Sequence, residues 1–131
     1  MSEENVEIVR AAIEALNRRD LDAVFALAAP DIELDMSRAV GMARGVYAAD
    51  QWRAVAQGFI EMWESAHWDV SEYIDVGQHV VTPITNRLKG REGIEVEARV
   101  TWLWTLGNGA LKRIALYQER GEALEAVGLS E

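Results

Sequence analysis

Residues 15–36 read ALNRRDLDAVFALAAPDIELDM, and within them the hydrophobic pattern changes twice. Leu16 closes a series, Val6, Val9, Ile13 and Leu16, whose spacings of 3, 4 and 3 place one apolar stripe on a helix. Arg18 and Arg19 stand at the C-terminal end of that helix, where positive charge suits the dipole. Asp20 is then placed to cap a second helix, predicted over Leu21 to Ala28 and ended by Pro30. From Asp31 the period becomes two: Ile32, Leu34 and Met36 alternate with Asp31, Glu33 and Asp35, which predicts a half-buried strand. Upstream, Ser2 followed by Glu3 and Glu4 reads as an N-cap with an acidic first turn.

Downstream, Gly41 and Gly45 punctuate a loop, and Trp52, Val55, Phe59 and Met62 define a third helix to about Ser65 with a bulky apolar stripe. Four segments rich in β-branched and aromatic residues follow, Trp68 to Val76, His79 to Leu88, Glu95 to Leu106 and Leu111 to Gln118, separated by glycine turns. Gly107-Asn108-Gly109 is the strongest hairpin signal, because these residues tolerate positive φ. Arg120 to Val127, ending at Gly128, reads as a short closing helix. Helices and strands segregate along the chain rather than alternate, so the class is α+β: a cone-shaped, curved antiparallel sheet packed against three helices. The open end of such a cone leaves a pocket lined by whatever bulky residues face inward.

At 131 residues and 14.6 kDa, with half its residues apolar, the chain is expected to form one domain spanning residues 1–131. A net charge of −9 repels phosphate backbones and anionic surfaces, which argues against nucleic-acid and membrane partners. The acidic start lacks a secretory signal, and the longest apolar run, Ala23 to Ala29, is far short of the ~20 residues a membrane helix needs. Without cysteine there is no disulfide, thiolate metal site or thiol nucleophile, which suits a reducing, cytoplasmic setting. No phosphate-binding glycine loop or Ser/His/Asp order occurs, so no cofactor is expected.

The segment 15–36, together with LWTLGNGALKRIALYQERGEALEAVGL at 103–129, resembles proteins of the nuclear-transport-factor-2-like superfamily, which holds ketosteroid isomerases and SnoaL-like polyketide cyclases. The resemblance implies the cystatin-like α+β barrel of that superfamily. It also permits a test of chemistry. In a ketosteroid isomerase a tyrosine and a protonated aspartic acid form an oxyanion hole, and an aspartate at a strand end is the base. These positions fall on Ala12, Trp102 and Met36, all apolar, so the resemblance implies that this acid–base triad is missing.

Asp35, next to the lost base, is the remaining catalytic candidate. Strand alternation turns it to the side of Asp31 and Glu33, where a solvated acidic face is the competing reading. Three carboxylates on one strand do not by themselves surround a cation, so no metal is expected. Trp102 and Trp104 share a face with Val96, Ala98 and Val100, and the alignment turns Ile114, Leu116 and Gln118 inward. Met36, Trp63, Val100, Trp102, Trp104, Ile114, Leu116 and Gln118 are thus the candidate ligand-binding residues, with Trp63 closing the pocket from the helical side. The competing reading is that the five tryptophans simply fill the core. His67 is placed at a helix end in a structural role, and His79 at a strand start as a surface or edge histidine rather than a proton-transfer residue. Pro83 leaves open whether Asn86 or Arg87 faces inward. Glu95, Glu97, Arg99, Thr101, Leu103 and Thr105 form an outer face through which a homodimer is expected, as in many relatives.

Three functions follow as expectations. The first is a binder of a flat, small apolar ligand. The second is a cyclase, isomerase or hydrolase using another constellation, with Asp35, His79 or Gln118 in the pocket. The third is a dimeric association module. The sequence leaves open whether the protein is an enzyme.

Overall fold

The computed structural model describes residues 2–39 and 44–129; the side chain of Ser2 and the loop glycine Gly41 lie outside the described residues. The first helix, α1 (Ser2–Asn17), buries Val9, Ile13 and Leu16 of the predicted stripe together with Ala12, while Val6 is half-buried. Arg19 then turns the chain with a φ of 61°, and the Asp20 carboxylate accepts from the Ala23 N–H at 3.0 Å to open α2 (Leu21–Ala26).

Here the structure departs from the sequence reading. The helix α2 ends at Ala26 rather than Ala28, and strand β1 (Ala28–Asp35) begins upstream of Pro30. The cause lies in the partner strand β7 (Ala110–Tyr117), whose Leu111 N–H donates to Leu27 O at 2.9 Å and draws the chain into the sheet. Pro30 is tolerated because it falls in the register shift between Ala28 and Glu33, where no ladder donor is needed.

After β2 (Val46–Ala48), a short strand that the sequence reading left as loop, α3 (Ala49–Met62) buries Ala56 and Ile60 against the sheet. Met62 is 59% exposed, and Trp63 is already extended at φ −107°, ψ 144°. His67 therefore sits not at a helix end but on β3 (Ser65–Val70), opposite Arg87. The predicted strand Trp68 to Val76 is broken into β3 and β4 (Ile74–Val76), which pair in turn with β5 (His79–Lys89). Pro83 of β5 stands at that break, where neither strand requires its missing N–H. The hairpin of β6 (Glu95–Gly107) and β7 turns through Asn108 and Gly109 at φ 53° and 75°.

The strand order is β2-β1-β7-β6-β5-β3, with β4 also on β5. The expected antiparallel sheet is thus mixed, since β1 runs parallel to β7, and it stays open with edges at β2 and β3. At the β3 edge the Asn17 side chain acts as a strand substitute: its Nδ2 donates to Trp68 O at 3.0 Å and its Oδ1 accepts from Trp68 N at 2.7 Å. Helices α1, α2 and α3 cover the concave face, where most of the core lies.

A fourth helix, α4 (Arg120–Ala126), turns back across the other face. Ala123 and Leu124 of α4 pack there with Val81, Leu103 and Ala115 in a second, smaller core. This corrects the expected outer dimer face: Leu103 and Thr101 are buried within the chain's own fold, leaving Glu95, Glu97 and Arg99 exposed.

Candidate functional site

Between the concave face and the three helices lies a cavity of about 290 Å³. Strand alternation builds its sheet wall: Ala98, Val100, Trp102 and Trp104 of β6 meet Ile114 and Leu116 of β7, and Ile32, Leu34 and Met36 come from β1 and its end. The helices supply Ala12 and Leu16 from α1, Phe25 from α2, and Trp52, Phe59 and Ile60 from α3. Trp102 and Trp104 lie tilted with ring centroids 5.6 Å apart, and Phe59 is 6.3 Å from Trp68. The rings do not fill the interior completely.

The candidates fall into two groups. Met36, Val100, Trp102, Trp104, Ile114, Leu116 and Gln118 all line this cavity. Trp63 does not: with α3 ended at Met62, its ring lies tilted against Phe59, centroids 6.3 Å apart, and beside Gly90. Ala12 of α1, Met36 at the end of β1 and Trp102 of β6, the residues to which the resemblance assigned the three acid–base positions, all line this cavity, Ala12 from the helical side. The register around Pro83 settles the phase of β5, so that Asn86 lines the cavity while Arg87 points outward to Asp69 and Glu97 at 3.4 and 2.7 Å.

Polar groups on the lining are few. Gln118 Nε2 donates to Arg38 O at 2.5 Å, and Trp104 Nε1 donates to Thr82 Oγ1 at 2.8 Å. Arg99, expected wholly on the outer face, is exposed but also contributes to the lining. It is the only ionisable side chain among the described lining residues. Phe25, Trp52 and Trp68 were missed by the sequence reading, which left Asn86 open because of Pro83; the bulky stripe of α3 was the available signal for Trp52.

Asp35 lies outside the lining, on the far side of β1, and it is not solvated: only 7% of the residue is exposed. Its carboxylate accepts from Ser37 Oγ and Arg113 Nη2, both at 2.6 Å, and from Ser37 N at 3.1 Å, with Arg38 Nη1 at 3.3 Å. Burial pushes this carboxyl up, but the Ser37 hydrogen bonds and the two guanidinium groups outweigh burial and hold it below the ordinary aspartate value. Asp35 is therefore held ionised as an anchor between β1 and β7. The acidic ladder of β1 is paired across the strands, Arg113 also reaching Glu33 at 2.8 Å and Lys112 reaching Asp31 at 3.8 Å. Among the described residues no group of three or more His, Asp or Glu side chains is arranged to hold a metal ion. His79 Nδ1 lies 3.0 Å from Thr105 Oγ1 and does not line the cavity.

The architecture has recognisable relatives. The chain is similar to an NTF2-like protein of unknown function from Burkholderia pseudomallei, with 23% identity and a TM-score of 0.75 over 95% of this chain and 98% of that one. It is also similar to IdmH of Streptomyces antibioticus, a proposed polyketide cyclase, with 18% identity and a TM-score of 0.77 over 95% and 99% of the two chains. TerC, crystallised with polyporic acid, matches with 17% identity and a TM-score of 0.75 over 95% and 98%. Among curated protein sequences, none matches the chain. The SnoaL-like domain family matches residues 9–114, most of the sequence, and this protein belongs to that family.

Proposed function

We propose that this protein binds a flat, largely apolar small molecule in its tryptophan-lined cavity and does so without the acid–base triad of ketosteroid isomerases. The observation that supports this reading is a largely apolar cavity of about 290 Å³ whose lining includes Ala12, Met36 and Trp102. An engineered apolar cavity of about 150 Å³ takes benzene, so roughly twice that volume suits two fused or linked rings. Apolar contact with tryptophan faces supplies the affinity, and Gln118 contributes the polar edge.

Catalysis by Asp35, His79 and Gln118 draws less support from the geometry. Only Gln118 of the three lines the cavity, while Asp35 is engaged by Arg113 and Ser37. The absence of cysteine suits action in the reducing cytoplasm. Self-association belongs to the same reading, through the part of the outer face that α4 leaves bare around Glu95, Glu97 and Arg99. A solution mass of about 29 kDa, twice the 14.6 kDa chain, is its expected signature.

Titration of the intrinsic tryptophan fluorescence with a panel of aromatic and polycyclic compounds tests the binding reading. Saturable quenching or a spectral shift with two-ring compounds is expected. Silence across the panel, together with a filled cavity in a crystal structure, would refute it.

A further inference from the structure

The cavity changes character along its length. On β7 the lining residues grade from buried Leu111 through Ile114 and Leu116 to exposed Gln118, and on β6 from buried Trp104 to half-buried Trp102, Val100 and Ala98. Leu111 and Gln118 lie seven residues apart, roughly 20 Å at the backbone, so the cavity is elongated. The described lining residues with an amide or charged side chain, Asn86, Arg99 and Gln118, all stand at the exposed end. Asn86 pairs with Ala98, Arg99 follows, and Gln118 comes directly after the Tyr117–Thr101 pair.

The backbone explains why this end is open. Pairing between β6 and β7 stops at Thr101–Tyr117, which leaves residues 95–100 of β6 with a free edge. Helix α3 packs chiefly on β1, β2 and α2, and the residues it turns to the cavity, Trp52, Val55 and Phe59, are half-buried. The slot between α3 and the start of β6 is thus the mouth. Gln118 stands there in the inward phase of Ile114 and Leu116, with its Nε2 held by Arg38 O at 2.5 Å and its carbonyl oxygen left as an acceptor. The far end is closed by α2, which the Asp22–Arg53 ion pair ties to α3 at 2.7 Å, with the Arg53 guanidinium 5.1 Å over the Phe25 ring. Leu21, Phe25, Ile32, Trp104 and Leu111 line it, and the Trp104 indole N–H is already accepted by Thr82 at 2.8 Å.

Resting on the binding reading above, we infer that the cavity takes an elongated, one-ended amphiphile: an apolar ring system enters first and stops against α2, and a hydroxyl at the trailing end stays in the mouth, donating to the Gln118 carbonyl oxygen. The long axis of the ligand then runs along β6 and β7. A hydroxyl at the mouth keeps water or Gln118 as a partner and costs little to bind. The same group carried to the α2 end loses its hydration and meets no free partner, so a molecule polar at both ends is rejected.

The test titrates the native chain, by tryptophan fluorescence or calorimetry, with biphenyl, 4-phenylphenol and 4,4′-dihydroxybiphenyl, three rods of similar width with no, one and two polar ends. The expected result is that 4-phenylphenol binds at least as tightly as biphenyl, whereas the diol binds at least about tenfold more weakly than 4-phenylphenol. In Gln118→Leu, an exposed position, the affinity for 4-phenylphenol relative to biphenyl should fall by at least about fivefold. Thermal melts check that this variant folds; if it does not, the three compounds on the native chain carry the comparison. A diol that falls short of that penalty, a 4-phenylphenol weaker than biphenyl, or a folded Gln118→Leu that keeps the native ratio overturns the proposal, while binding of any of the three leaves the cavity reading intact. A protein that takes none of them overturns the binding reading and this proposal with it.

Discussion

Replacing Asp35 by Asn isolates the ion-pair cluster that joins β1 to β7. The substitution keeps the shape and one acceptor but removes the charge that Arg113 Nη2 approaches at 2.6 Å and Arg38 Nη1 at 3.3 Å. Removing one partner of a fully buried pair costs about 3–5 kcal/mol, and an exposed pair is worth about 0–1. Here the carboxylate is buried, with a side chain 9% exposed, whereas the arginines are 35% and 37% exposed and can recover water. Arg113 also keeps Glu33. The expected loss is therefore intermediate, about 2 kcal/mol near neutral pH. With an unfolding entropy of about 2.1 cal/mol/K per residue over this chain, that corresponds to a fall in Tm of about 7 °C. The pH dependence follows from the depressed carboxyl. Its contribution is fully present above the unfolded value of 3.8 and is lost as pH falls through the lower, folded value. The gap in Tm between native and variant, followed by circular dichroism, should thus stay constant from about pH 7 down to about pH 5 and close below about pH 4. A gap that is absent at neutral pH, or that persists unchanged at about pH 3, would sink the assignment of Asp35 as a charged anchor.

Thr82→Val removes the acceptor of the buried Trp104 indole while preserving shape, and should destabilise by about 1–3 kcal/mol in urea unfolding. Asn17→Ala uncovers the β3 edge at Trp68 and should cost about 1–2 kcal/mol, with aggregation rising in light scattering. Trp102→Asp places a carboxyl in an apolar wall, where burial raises its pKa; its destabilisation should be several kcal/mol and greater at pH 8 than at pH 5, as ionisation is forced. A Trp102→Asp variant that melts like the native chain at both pH values would contradict the inward placement of Trp102. Asn108→Gly, at a φ of 53° in the β6–β7 turn, should leave Tm within a few degrees of the native value, whereas Asn108→Val should destabilise the fold by about 1 kcal/mol or more.

Elements whose pattern is local could be read from the chain. The stripe of α1, the Asp20 cap, the Asn108-Gly109 turn and the alternation of β6 each depend on spacing and backbone tolerance within a few residues. Alternation likewise grouped Trp102 with Trp104 on one face of β6, although which face turns inward was implied by the resemblance rather than by spacing. What escaped the reading depends on partners remote in sequence. Pro30 looked like a helix terminator, yet β7 recruits Ala28 into the sheet, and a register shift accommodates the proline. Trp68 and Asn86 took their inward phase from the β3–β5 pairing, whose register no local period reveals across Pro83.

The outer face illustrates the same division. Alternation on β6 correctly separated Thr101 and Leu103 from Trp102, but whether that face meets water depended on α4 returning over it. Asp35 is a further case. Its side of the strand was legible, whereas its burial arises from Arg113, distant in sequence, and Arg38 closing around it. Sequence by itself therefore determined the α+β class, most element positions and the side of the strand on which each key residue stands, because these obey short-range periodicity. The tertiary structure decided the mixed strand order, which faces are covered, the existence of the cavity and the end at which its polar residues gather, because packing volume and strand register are set only when distant segments meet.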